Sequence, residues 1–175
     1  MANNEQTGLL QRAGKAALPF GGLMSVISLC MIFADRFAPL GTAAIVLLLA
    51  LPFVVQREQR KVFVASDGMS EYAELWMHGI LLFLLGGLVT GLVTYLVLQT
   101  ARPGFAYEQV DAMLEVYEQM PELKNSEIVD VMRRARDNGL LPTPIEMVVN
   151  VFWFVSFGGS LLSALTALIA QRRIH

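Results

Sequence analysis

"LWMHGILLFLLGGLVTGLVTYLVLQT", Leu75–Thr100, decides the fold. Only His78 and Gln99 interrupt its apolar character. A stretch of about 20 apolar residues suffices to cross a hydrocarbon core about 30 Å thick. No water is available there to satisfy backbone amides, so such a run is expected to be a helix. Three further stretches read the same way: Ala16–Ala34, Phe37–Val55 and Met147–Ala170, the last with Asn150 as its one strongly polar member. The expected fold is therefore all-α, a single polytopic membrane domain over 1–175 with four transmembrane helices at about 16–34, 37–55, 75–100 and 147–170. Only Asp35 and Arg36 separate the first two spans, which makes them antiparallel neighbours.

Composition agrees. Of 175 residues, 55% are hydrophobic and 16% charged, and mean hydropathy is +0.54. Soluble domains carry about a quarter charged residues. A net charge of −2 without a basic face excludes a nucleic-acid binder. The one cysteine, Cys30, lies in an apolar run and reads as a small buried hydrophobe. Arg12 and Lys15 precede the first span as they would in a secretory signal. No small-x-small cleavage site precedes Asp35 and Arg36, so a retained span is expected.

Between the third and fourth spans the chain changes character. "AYEQVDAMLEVYEQMPELKNSEIVDVMRRARDNG", Ala106–Gly139, is charged and helical in pattern. Val110, Met113, Leu114, Tyr117 and Met120 recur on one helical face, with Glu108, Asp111, Glu115 and Glu118 on the others. Pro121 ends that helix, and Asn125 or Ser126 caps a second one carrying Ile128, Val131, Met132 and Ala135 on one side. Asn138-Gly139 stops it. Pro142 and Pro144 lead into the fourth span, with Pro144 suited to its first turn. The insert is expected to be an amphipathic helical hairpin over about 104–140 that caps the bundle or binds another protein.

Orientation follows lysine and arginine near the span ends. The side holding both termini carries seven: Arg12, Lys15, Arg57, Arg60, Lys61, Arg172 and Arg173. The other carries six, of which five lie in the long insert. The dense positive charge beside the membrane places both termini in the cytoplasm and the hairpin in the periplasm.

Small residues mark close helix contacts in lipid, where hydrophobicity gives no reason to associate. The expected packing positions are Gly87 and Gly91 in the third span and Gly159 and Ser163 in the fourth. A homo-oligomer through one of these motifs is the other use of such residues. Among aromatics, Trp76 suits the interface, and Trp153, about two turns inside, is expected to pack in the bundle.

Ionisable residues in spans are functional suspects. Glu74 and His78 share a face at the start of the third span, and Glu146 and Asn150 at the start of the fourth. These four are the candidate polar or ligand site, and each pair can equally be satisfied by headgroups and water. The mid-membrane positions carry no charge, which argues against a proton-coupled carrier. His78 and His175 stand apart from any carboxylate cluster suited to metal, and neither a phosphate loop nor a dinucleotide fingerprint occurs. No catalytic, cofactor or metal residue is expected. The loop after the second span is basic in its first half and turns at Asp67-Gly68, with Ser70 capping the next helix.

The basic loop followed by "SEYAELWMHG", the Gly-rich third span ending "VTYLVLQTARP", the acidic hairpin and the Gly/Ser-rich last span together resemble a family of small four-span bacterial membrane proteins classed as a domain of unknown function. The likeness runs from about Gly14 to Arg173 and rests chiefly on Met69–Gly79 and Val93–Pro103. It implies an inner-membrane protein with no assigned activity, and genes placed near a lipid-linked glycosyltransferase suggest such an enzyme as the protein it would support. The expected function is thus a non-enzymatic accessory or interaction subunit of an envelope complex, in contact with lipid and a protein partner. The alternative is a small transporter or lipid-binding protein using a cleft near Glu146 and Asn150.

Overall fold

The structure, a computed structural model, describes residues 2–66, 68–120 and 126–171. Asp67, Pro121, Lys124, Asn125, Arg172, Arg173 and His175 lie outside them. All regular structure among the described residues is helical, in the order α1 (Ala2–Ile32), α2 (Ala38–Ala65), α3 (Tyr72–Thr100), α4 (Phe105–Gln119), α5 (Glu127–Asp137) and α6 (Pro144–Ala170). Leu10–Ile32 of α1 and the whole of α2, α3 and α6 are long and apolar enough to cross a membrane. The chain has the build of a multi-pass membrane protein, and it divides into two compact units: Met1–Thr94 with Asn150–His175, and Tyr95–Val149.

The helices outrun the apolar runs that announced them. α2 continues from Val55 to Ala65. The intervening Gln56, Arg57, Glu58, Gln59, Arg60 and Lys61 are all good helix formers. Glu58 and Lys61, three apart, form an ion pair on that extension. The helix stops at Ser66, and Gly68, at φ +75°, donates its N–H to the Phe63 carbonyl at 3.0 Å. Ser70, expected to cap α3, instead turns its hydroxyl back onto Ser66 Oγ at 2.7 Å.

In the first unit the buried stripe of α1 is Ala17, Phe20, Met24 and Ile27, at spacings of three and four. It packs against Ala44, Leu51 and Val55 of α2 and Leu82 and Phe83 of α3, with Phe20 edge-on to Phe83 at 5.0 Å. The outside is as greasy as the inside: Leu18, Phe53, Leu88, Leu92, Phe154 and Phe157 are all exposed. That distribution suits lipid as solvent.

Close approach fixes the helix pairs. A Cβ on Gly21 would sit 2.8 Å from Val89 Cβ and 2.9 Å from the Gly86 carbonyl, so α1 meets α3 backbone to backbone. Thr90 Oγ1 donates to the Gly21 carbonyl across this seam at 3.1 Å. Of the sequence-nominated residues, Gly159 is buried under the Phe83 ring and Ser163 is buried against Gly79, both between α3 and α6. Gly87 faces Phe152 of α6, while Gly91 is partly buried. Trp153 is 67% exposed and points outward rather than packing within the bundle. Its neighbour Phe152 takes the notch that Gly87 leaves, and one residue along a helix turns the next side chain about 100° away.

In the second unit α4 and α5 pack on each other. Arg133 reaches Glu118 at 2.5 Å, and Arg136 forms an ion pair with Asp111. That carboxylate holds the Arg136 guanidinium further toward its charged form. Arg102, buried, pairs with Glu108 and places its guanidinium carbon 5.3 Å from the Phe105 ring centre. At the end of α5, Gly139 adopts φ +66°. Its N–H bonds the Arg136 carbonyl and the Leu140 N–H bonds that of Ala135, the paired closure that needs a left-handed residue.

Candidate functional site

A polar cluster is buried at one end of the first unit, where α2, α3 and α6 converge. Gln59, on the part of α2 beyond the apolar run, is fully buried. Its Nε2 donates to the Leu75 carbonyl of α3 at 3.2 Å and the Ser163 carbonyl of α6 at 3.0 Å, so one side chain ties three helices together. The missing side chain at Gly79 makes this possible. A Cβ there would lie 2.6 Å from Ser163 Cβ and 2.7 Å from Gln59 Nε2. Tyr72 Oη and Trp76 Nε1 extend the α3–α6 seam by donating to the carbonyls of Ala164 and Ser160, at 3.3 and 3.1 Å.

His78 belongs to the same region. It is 2% exposed, and its Nδ1 has no hydrogen-bond partner among the described residues. Gln59 Oε1 and Ser163 Oγ are likewise unsatisfied there. Buried polar atoms are nearly always paired, so each of these is unusual. His78 also lines a cleft of about 440 Å³ between α1, α2 and α3. Arg12 and Lys15 of α1 and Glu58 and Lys61 of α2 supply its charged lining. Lys61 Nζ contacts Glu58 Oε1 at 2.5 Å, whereas Arg12 and Lys15 meet no carboxylate among the described residues.

The other nominated residues have different surroundings. Glu74 is half-buried in the first turn of α3, where a carboxylate complements the helix dipole. Glu146 is exposed, and its Oε2 accepts both the backbone N–H and the hydroxyl of Thr143 at 2.8 Å. Thr143 Oγ1 in turn lies 3.5 Å from the Glu146 N–H, completing a capping box at the start of α6. Asn150 is exposed. The structure therefore places His78 in one cleft with Arg12, Lys15, Glu58 and Lys61, and gives Glu146 a helix-capping partner of its own. Gln59 escapes a hydropathy reading because it follows the apolar run. Its helix-forming neighbours were the available signal.

The second unit carries a different kind of surface. Leu114 and Val129 are buried, but Met113 and Val116 of α4 and Ile128 and Val131 of α5 are exposed, although neither helix is among those long and apolar enough to cross a membrane. Among the described residues no group of three His, Cys, Asp or Glu could hold a metal ion.

No curated protein and no solved structure matches the chain. Residues 15–172 match the family described as "protein of unknown function (DUF4199)", a stretch that includes both the buried polar cluster and the α4–α5 unit. The chain belongs to the DUF4199 family.

Proposed function

We propose that this protein is a non-enzymatic accessory subunit of a bacterial envelope complex, held in the inner membrane by four spans. In this reading α4 and α5 form an amphipathic hairpin on the periplasmic side, both termini are cytoplasmic, and the hairpin docks a protein partner. The observation that carries it is the exposure of Met113, Val116, Ile128 and Val131 on helices otherwise rich in charge. Apolar side chains grouped on an extramembrane element mark interaction surfaces. α4 and α5 pack on each other, with two exposed ion pairs across the contact, so the face would be presented largely preformed and less ordering entropy would oppose docking. The family resemblance makes a lipid-linked glycosyltransferase the first partner to try.

The test is a photoreactive residue at Val131, irradiated in native membranes. A discrete adduct with an envelope protein, abolished by Ile128→Asp, is expected. An adduct of twice the chain's mass would instead identify a second copy as the partner. Labelling confined to lipid would remove the accessory-subunit reading. Glu146→Ala should leave the adduct unchanged, because that carboxylate serves the start of α6.

A further inference from the structure

We propose that the cleft between α1, α2 and α3 binds the phosphate group of an anionic membrane lipid, with Arg12 and Lys15 as its charge partners and His78 as a hydrogen-bond donor from within. The site is independent of the α4–α5 surface.

Charge comes first. Three cations and one carboxylate line the cleft, a balance of 3 − 1 = +2. Glu58 is engaged with Lys61, so the surplus resides on Arg12 and Lys15, one helical turn apart on α1 and exposed. Two cations on adjacent turns suit a phosphate, which accepts several charge-assisted hydrogen bonds at once.

His78 is the second, independent observation. A buried imidazole nitrogen without a partner carries a desolvation penalty that a ligand oxygen relieves. It sits inside the lining to which Arg12 and Lys15 contribute, so one anion can engage a cation and the imidazole together.

The walls select a lipid over a free ion. Ala16 and Pro19 continue the cleft along α1, and Val62 and Ala65 along α2. A small hydrated anion has no use for such a surface, whereas a glycerol backbone and the first acyl carbons do. The volume of about 440 Å³ falls within the range of roughly 300–1,000 Å³ usual for small-molecule sites and exceeds what a lone phosphate needs. Placement agrees. The cations stand at the ends of membrane-spanning helices, where headgroups lie. A neighbouring depression lined by Arg57, Arg60 and Lys61 extends the basic surface along α2.

The experiment uses the full chain in lipid-free detergent, titrated separately with phosphatidylglycerol, phosphatidylcholine and inorganic phosphate. Binding is read by native mass spectrometry. The response of His78 is read by NMR of ¹⁵N-histidine, since the chain has two histidines and His78→Gln assigns the signal. Phosphatidylglycerol should bind about thirtyfold more tightly than phosphatidylcholine, given the worth of about two basic contacts to an anionic headgroup. It should also shift the His78 resonance. Arg12→Gln with Lys15→Gln, both at exposed positions, should abolish that preference, while Arg57→Gln with Arg60→Gln should keep most of it. Equal binding of the two lipids, or a preference that survives loss of Arg12 and Lys15, overturns the proposal. So does an equal loss in both double variants, which would mean diffuse surface charge. If inorganic phosphate at the same concentration shifts His78 and displaces phosphatidylglycerol, the site is one for a free anion and the lipid assignment fails.

Discussion

Gly21→Ala and Gly22→Ala are the same chemical change on adjacent residues, and the structure assigns them opposite outcomes. Gly22 is exposed, and a Cβ there would have no heavy atom within 4 Å. Its replacement should therefore show only the helix propensity of alanine over glycine, a gain of up to about 1 kcal/mol. At Gly21 the new carbon would lie 2.8 Å from Val89 Cβ and 2.9 Å from the Gly86 carbonyl oxygen. Carbon pairs prefer about 3.5–4.0 Å, so α1 and α3 must separate by something near 0.7–1 Å. A Cβ and a carbonyl oxygen of α3 face the new carbon, and rotating a side chain moves neither. The bond from Thr90 Oγ1 to the Gly21 carbonyl, already 3.1 Å long, would be lost, at about 0.6 kcal/mol for an interhelical bond in a membrane. Phe20 would withdraw from Phe83, and overpacking of this kind costs about 1–3 kcal/mol. Set against the propensity gain, Gly21→Ala should destabilise by about 1–2.5 kcal/mol, leaving the two variants roughly 2–3 kcal/mol apart. Sodium dodecyl sulfate titration of the protein in mild detergent micelles, followed by circular dichroism, measures the difference. Coincident unfolding curves would refute the backbone contact between α1 and α3.

The fourth span offers a parallel pair: Gly159→Ala meets the Phe83 ring and should cost about 1–3 kcal/mol in the same titration, whereas Gly158→Ala, with nothing within 4 Å, should be neutral or stabilising. Gly139→Ala forces a side chain into φ +66° and should destabilise the end of α5 by about 1 kcal/mol, visible as faster amide exchange at Leu140. Glu146→Ala breaks the capping box and should speed amide exchange in the first turn of α6 while leaving the other helices unchanged. In a Cys30→Ala background, a cysteine at Glu118 should react with an impermeant thiol reagent on intact cells and one at Glu58 should not. The reverse pattern would invert the proposed orientation.

The four long helices were legible because lipid imposes a length and forbids unpaired amides, constraints that act on composition alone. Their ends were less so. Hydropathy shows where apolar character stops, not where hydrogen bonding stops, and the ten residues after Val55 continue α2 on propensity. Gln59 was missed for that reason, and the polar cluster built around it was missed with it. His78 was visible as a suspect, but the cleft it shares with Arg12, Lys15, Glu58 and Lys61 joins helices distant in sequence.

The sequence by itself determined how many helices are long and apolar enough to cross a membrane, their order, and the charged pair of helices between the third and fourth. Only the tertiary structure decided which faces meet. A helix that is apolar all round presents the same hydropathy to lipid and to protein, so no periodicity distinguishes Phe152 from Trp153, or Gly86 from Gly91. Contact in that setting depends on shape: Gly21 against Gly86, Gly79 against Ser163, Gly159 beneath Phe83. Those fits leave Gln59 bridging three helices and His78 buried beside two exposed cations from a different helix, a juxtaposition that residues 63 and 66 positions apart cannot announce along the chain.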